Sequence, residues 1–341
     1  MPALQCDLTA ATSPFESARC IDSTHGNRTR SPRVEGIPVI RMGLLELELH
    51  RAWFGHVHTP AARPLARPAI LRPPPSDARP SRRDADNPGM KNLRPDTMGI
   101  LQRIETLSGR SVEFKPDSSL TLRATLQLAR NGAPTHVLRY RPANEPLDYW
   151  VAYQAGYLLR LLELPPDERF DFAATGAAAG AVQELMTTGQ PLDDGDKASI
   201  PQFAQMTAHW ALMNLRSYAI GMRIDQWLAN DHPELRELQA AGVDAMQQEN
   251  LQLLSKRIGN LSIPVPLLAP VAAYALFADR LLSQAGYAIP YRAAGVLELG
   301  AELLAISDSM SSKAAHDREL VDAWAGAIGM SGWYTWIPYK P

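Results

Sequence analysis

Proline decides where this chain can be regular. Each proline removes a backbone donor and pulls the preceding residue out of the helical region, and twelve of the 28 prolines lie in the first ninety residues. That stretch also holds twelve arginines and four of the eight histidines, with no lysine before Lys91. Runs such as Arg63-Pro64-Leu65-Ala66-Arg67-Pro68 and Arg72-Pro73-Pro74-Pro75 leave no space for apolar periodicity. Residues 1–97 are therefore expected to be a disordered Pro/Arg-rich extension. The string Gly26-Asn27-Arg28-Thr29-Arg30-Ser31 resembles read-through of a transfer-RNA gene. On that reading the extension is an over-long gene product, with translation starting at Met90 or Met98. A basic, nucleic-acid-binding tail is the competing reading.

The remaining length suffices for one large domain or two ordinary ones, at roughly 100 to 200 residues each. With 34 basic and 36 acidic residues, the net charge of −2 supplies no field that would recruit nucleic acid or an anionic membrane, so neither partner is expected. Cys6 and Cys20 are the only cysteines. They support neither a disulfide framework nor a cysteine metal site, and a reducing cytoplasm is the expected setting. The apolar run 263–278 is shorter than the ~20 residues of a membrane span and contains Pro264, Pro266 and Pro270. It reads as a buried loop leading into a core helix.

From Met98 the text becomes globular. Helical spacing of Ile100, Leu101, Ile104 and Leu107 predicts a short helix, and Ser111-Val112-Glu113-Phe114 alternates like a strand. Residues 120–130 read as a helix, with Leu122, Leu126 and Leu128 on one side and Asn131-Gly132 as its stop. Thr135 to Arg141 is the clearest strand, with Leu138 and Tyr140 on one face. A helix is expected over 147–164, ended by Pro165-Pro166. Further helices are predicted over 173–186, 201–214, 222–229, from Asp231-His232-Pro233-Glu234 onward, and over 271–284, 293–306 and 316–328. The aromatic tail 333–339 is expected to dock on the domain. The fold class is thus α+β, mainly α.

One segment carries a functional suggestion. His136-Val137-Leu138-Arg139-Tyr140-Arg141-Pro142 is followed by a helix containing Tyr153-Gln154-Ala155-Gly156-Tyr157-Leu158-Leu159-Arg160. This order resembles the core of the zincins, most closely the small IrrE/ImmA-like metallopeptidases, in which an edge strand precedes a helix bearing His-Glu-x-x-His. In that motif two histidines one turn apart hold a zinc ion, and the glutamate is the general base. Aligned on it, Tyr153 and Tyr157 stand where the histidines would be and Gln154 where the glutamate would be. The resemblance implies a zincin-like subdomain with a small sheet over 98–230, then a helical part over 231–341. It also places Asp225, in Arg223-Ile224-Asp225-Gln226-Trp227, where a third ligand would come from.

Those substitutions remove the chemistry. A neutral phenol with pKa near 10 is a poor zinc donor, and an amide cannot take up a proton as a base. The expectation is a catalytically silent, metallopeptidase-like binding or regulatory protein without metal or other cofactor, its partner a protein or peptide segment along the edge strand. A hydrolase built on Asp225, Asp148 and His209 is one competing reading, and a purely structural helical protein is another. His209 alone fits a hydrogen-bonded core histidine better, and Asp193-Asp194-Gly195-Asp196 lacks the spacing of a calcium loop. No nucleophile elbow, phosphate loop or dinucleotide fingerprint is present.

Overall fold

A computed structural model describes residues 93–120, 123–142, 147–188, 194–255, 257–258, 261–284 and 286–340. Helix α1 (Pro95–Ser108) buries Ile100, Leu101 and Ile104 and ends at Gly109 in the left-handed conformation. A three-stranded sheet follows in the order β1-β3-β2, formed by β1 (Ser111–Pro116), β2 (Ala124–Gln127) and β3 (Thr135–Tyr140). β1 runs parallel to β3 with Phe114 beside Leu138, and β2 runs antiparallel to β3 with Leu126 beside Leu138. His136, Leu138 and Tyr140 share the buried face of β3. His136 Nδ1 accepts from the Ala129 amide at 3.1 Å, which pins the β2–β3 hairpin.

Two expectations fail here. Residues 123–130 are not a helix: in the sequence Leu120, Leu122, Ala124, Leu126 and Leu128 are all at even positions, and that period of two belongs to a strand. Asn131 and Gly132, at φ 52° and 77°, form the left-handed hairpin turn rather than a helix stop. The strand over 135–140, expected to be an edge strand, is also not one. β3 is paired on both sides, so the edges of this sheet are β1 and β2.

The helical body begins with α2 (Leu147–Leu162). A short strand, β4 (Phe170–Ala174), leads into α3 (Ala177–Thr187). Next comes α4 (Asp194–Asp231), a single 38-residue helix. It replaces the two shorter helices expected over 201–214 and 222–229, because Leu215, Ala219, Ile220 and Met222 are all buried and packing carries the helix through the apparent break at Ser217 and Gly221. Pro201 is tolerated inside its N-terminal part.

Beyond α4 come α5 (Arg236–Leu254), the two-residue strands β5 (Arg257–Ile258) and β6 (Leu261–Ser262), and α6 (Val265–Leu281). α6 is helical through most of the run expected to begin as a loop. Pro266 falls in its first turn, where no amide donor is needed. α7 (Ile289–Ala293), α8 (Leu297–Ser309) and α9 (Asp317–Ala327) complete the helices. No helix among the described residues is long and apolar enough to cross a membrane. The fold is mainly α with small sheets of two and three strands.

The aromatic tail docks as expected, by strand pairing. β7 (Tyr334–Pro338) runs antiparallel to β4 with Trp336 opposite Phe172. The Phe172 ring stacks on Tyr334 at 4.3 Å and meets Trp336 edge-on at 5.3 Å. Tyr339 is buried and donates its hydroxyl to the Ala129 carbonyl at 2.7 Å, tying the tail to the hairpin. Phe172→Ala is therefore expected to cost about 3–5 kcal/mol, measured by urea unfolding, because it removes the ring that both tail aromatics cover.

Candidate functional site

Tyr149, Tyr153 and Tyr157 recur every four residues on α2 and so form one stripe along the helix. Their rings touch in sequence, at 5.7 Å between the first pair and 5.5 Å, nearly perpendicular, between the second. The stripe faces a matching one on α4, made of Ser217, Gly221 and Asp225. Tyr157 donates its hydroxyl to the Ser217 carbonyl at 2.6 Å. Its oxygen is then free to accept from Tyr153, whose hydroxyl lies 3.1 Å away. Tyr149 donates to Asp225 Oδ1 at 3.1 Å. Because these partners descend along α4 as they ascend along α2, the two helices run antiparallel.

Glycine makes this approach feasible. A Cβ at Gly221 would lie 2.2 Å from the Tyr153 hydroxyl and 3.0 Å from that of Tyr157. One at Gly156 would lie 2.5 Å from Ile224 Cγ2. The small pair Ala155-Gly156 thus marks a helix contact.

Asp225 is fully buried, and both carboxylate oxygens are engaged. Oδ1 accepts from Tyr149 and from Gln239 Nε2 at 2.9 Å, and Oδ2 accepts from Tyr274 at 2.7 Å. Gln239 also donates to the Asp225 backbone carbonyl at 2.8 Å. Burial pushes the carboxyl up to about 6, against the pull of its three donors, Gln239, Tyr274 and Tyr149. Burial comes first and nearby phenol or carboxylate charge second in raising Tyr149, Tyr153 and Tyr274 well above the usual range. For Tyr157 burial outweighs its bond with Tyr153 and the nearby Arg216. All four are protonated phenols at neutral pH.

The aligned positions come together only in part. Tyr153 and Tyr157 share a hydrogen bond, but Asp225 bonds to Tyr149, one turn earlier, and Gly221 faces the paired hydroxyls. Gln154 is half-buried and takes no part in these hydrogen bonds. The constellation of the competing hydrolase is not assembled. His209 and Asp225 are sixteen residues apart on the same helix, which is roughly 24 Å along its axis. Asp148 accepts from the Arg94 amide and the Thr97 hydroxyl, each at 2.7 Å, and so holds the start of α1. In the acidic segment 193–196, residue 193 lies outside the described residues and 194–196 stand at the start of α4. Among the described residues no group of three or more His, Cys, Asp or Glu side chains has the arrangement of a metal site.

A second feature adjoins α2 and α4. Asp317, at the start of α9, accepts from Arg160 Nε and Nη2 and from Arg223 Nη1, all at 2.7 Å. Arg223 stands in the buried stretch of α4 beside Asp225, and an arginine in such a stretch was the available signal for this cluster. Asp317, nearly a hundred residues away, could not be foreseen as its partner. Compared with known proteins, the chain matches no family model, no curated protein and no solved structure.

Two outcomes follow from the stripe. Gly221→Ala is expected to destabilise by about 1–3 kcal/mol, because a methyl group overlaps the Tyr153 hydroxyl. Tyr153→Phe in the same chain is expected to restore about 1 kcal/mol or more in a double-mutant cycle followed by urea unfolding. Asp225 gives the second outcome. Its carboxyl lies at about 6 in the folded state against an ordinary value of 3.8. Below both values it is neutral in both states and no buried charge is penalised, whereas above both the folded state carries the full cost of a buried charge. Its contribution to stability therefore falls as pH rises from about 4 to 6, by about 3 kcal/mol. Relative to Asp225→Asn, the wild type is expected to gain most of that amount, about 2.4 kcal/mol, between pH 7 and pH 4 in paired denaturation curves.

Proposed function

We propose that this chain is a degenerate, IrrE/ImmA-like protein that has lost metal capture and hydrolysis and acts in the cytoplasm as a binding or regulatory module. The supporting observation is the place taken by the Tyr153 and Tyr157 hydroxyls. A histidine at either position would be shorter than tyrosine, and a zinc ion about 2 Å beyond its outer nitrogen would fall near the present phenol oxygen. The two hydroxyls fill that locus and satisfy each other and Ser217. Asp225 has both carboxylate oxygens engaged and is sealed from water. The proposed partner is an extended protein segment, and the strands on which it would add are β1 and β2, the edges of the three-stranded sheet.

Metal analysis of chain purified without chelator tests the silent reading. Less than a tenth of an equivalent of zinc is expected, and one equivalent would overturn it. The triple variant Tyr153→His, Gln154→Glu, Tyr157→His tests the resemblance itself. It is expected to bind zinc or cobalt at one equivalent, with the visible absorption of tetrahedral cobalt. A folded variant that binds neither would make the likeness accidental.

A further inference from the structure

The small sheet of β4 and β7 has two strands only, so each keeps one unpaired edge. Asp171 and Phe172 of β4 are buried, whereas no residue of β7 is. The bonds at the ends of the ladder fix which groups of β7 face outward. The Thr175 amide donates to the Trp333 carbonyl and the Tyr339 amide to the Arg169 carbonyl, each at 2.8 Å. Positions 333, 335, 337 and 339 therefore turn their amides and carbonyls toward β4, and Tyr334 and Trp336 turn theirs away. Among the described residues these outward groups have no backbone partner. Pro338, the next outward position, has no amide to offer. Nothing charged stands in Tyr334-Thr335-Trp336-Ile337 to keep another strand from pairing with it.

Charge on the neighbouring helix has a direction along this edge. Asp322 of α9 accepts on Oδ1 from the Tyr334 hydroxyl at 2.6 Å and from Trp336 Nε1 at 2.8 Å. Arg318, one turn earlier, rests on the Phe170 ring at 4.7 Å and near that of Trp336 at 5.9 Å, and Phe170 stands opposite Pro338. The carboxylate thus marks the 334 end of the strand and the guanidinium the 338 end. Both side chains are exposed, and with Tyr334, Thr335 and Trp336 they line an open groove of about 330 Å³.

We infer that β7 is a homodimer interface, in which two copies pair edge to edge as antiparallel strands about a two-fold axis at Thr335. The strand order of the joined sheet is β4-β7-β7-β4. Tyr334 then stands opposite the partner's Trp336 and exchanges both backbone hydrogen bonds with it, and the two Thr335 residues face each other as a non-hydrogen-bonded pair. The opposed tyrosine and indole add a cross-strand aromatic contact on each side of the axis. Because the strands run in opposite directions, the Arg318 end of each copy meets the Asp322 end of the other, as a self-complementary two-fold contact requires. A parallel, in-register pairing would set like charges together.

Sedimentation equilibrium of the full chain is expected to give a mass that rises with concentration from 37.5 kDa toward twice that value. The mass of one chain at every concentration up to about 0.5 mM would overturn the inference. Thr335→Cys, in a chain also carrying Cys6→Ser and Cys20→Ser, tests the strand register. The Cα atoms of such a facing pair lie about 4.5 Å apart, within disulfide reach. Mild oxidation is expected to join the chains at position 335 at least tenfold faster than in the Ile337→Cys equivalent, whose position faces the partner's Trp333. Equal rates would overturn the inference. Arg318→Glu and Asp322→Arg are each expected to weaken self-association at least tenfold in chains with unchanged circular dichroism. An equimolar mixture of the two is expected to restore it, because each supplies the charge that the other lacks. Unchanged association of folded Arg318→Glu, or a mixture of folded chains that stays monomeric, would overturn the inference. None of these outcomes depends on Tyr153, Gln154 or Tyr157.

Discussion

The carboxylate of Asp225 joins four helices. It belongs to α4 and receives Tyr149 from α2, Gln239 from α5 and Tyr274 from α6. Burying a carboxylate is expensive, and replacing such a group with apolar side chains is often neutral or stabilising in other proteins. Here its directional bonds impose a geometry that apolar packing alone would leave free to slide. The antiparallel register of α2 on α4 follows from it, because Tyr149 can reach Asp225 only when Tyr153 lies over Gly221 and Tyr157 over Ser217. Gly242 makes the corresponding allowance on α5, where a Cβ would fall 2.1 Å from the Tyr149 ring.

The same register governs what the α2–α4 pair can do chemically. On the tyrosine side the helices meet through hydroxyls, a backbone carbonyl and a buried carboxylate. On the other side Gly156 lets Ile224 pack closely, and a groove containing Arg160 and Arg223 opens beside that contact. Asp317 at the start of α9 then draws both arginines together and joins α9 to the pair. A polar clamp on one side and an ion cluster on the other explain why α4 persists as a helix through Ser217 and Gly221, residues that would weaken it in isolation.

Much of this was legible before any coordinates. Helical periodicity located α1, α2 and the helices of the C-terminal half. The aromatic density of 333–339 required that the tail be covered, and Phe172 covers it while Tyr339 ties its end to the hairpin. The tyrosines at 153 and 157 were recognisable as a pair one turn apart. Residues 120–130 were misread because Leu122, Leu126 and Leu128 fit a period of two as well as a helical face. The Asn131-Gly132 pair, a hairpin signal when set between alternating segments, was the feature that should have decided between them.

By itself the sequence determined most of the helical segments, that the fold is mainly α with a little sheet, and that positions 153, 154 and 157 carry two phenols and an amide. Those are local properties, set by side-chain chemistry and spacing along one element. The tertiary structure decided that β3 is a central strand, that Asp225 answers to Tyr149 rather than to Tyr153 or Tyr157, and that Arg160 and Arg223 converge on Asp317. Strand order and side-chain partnership depend on contacts between residues far apart in the chain. A one-turn difference in how α2 crosses α4 changes every partner without changing the helical pattern of either.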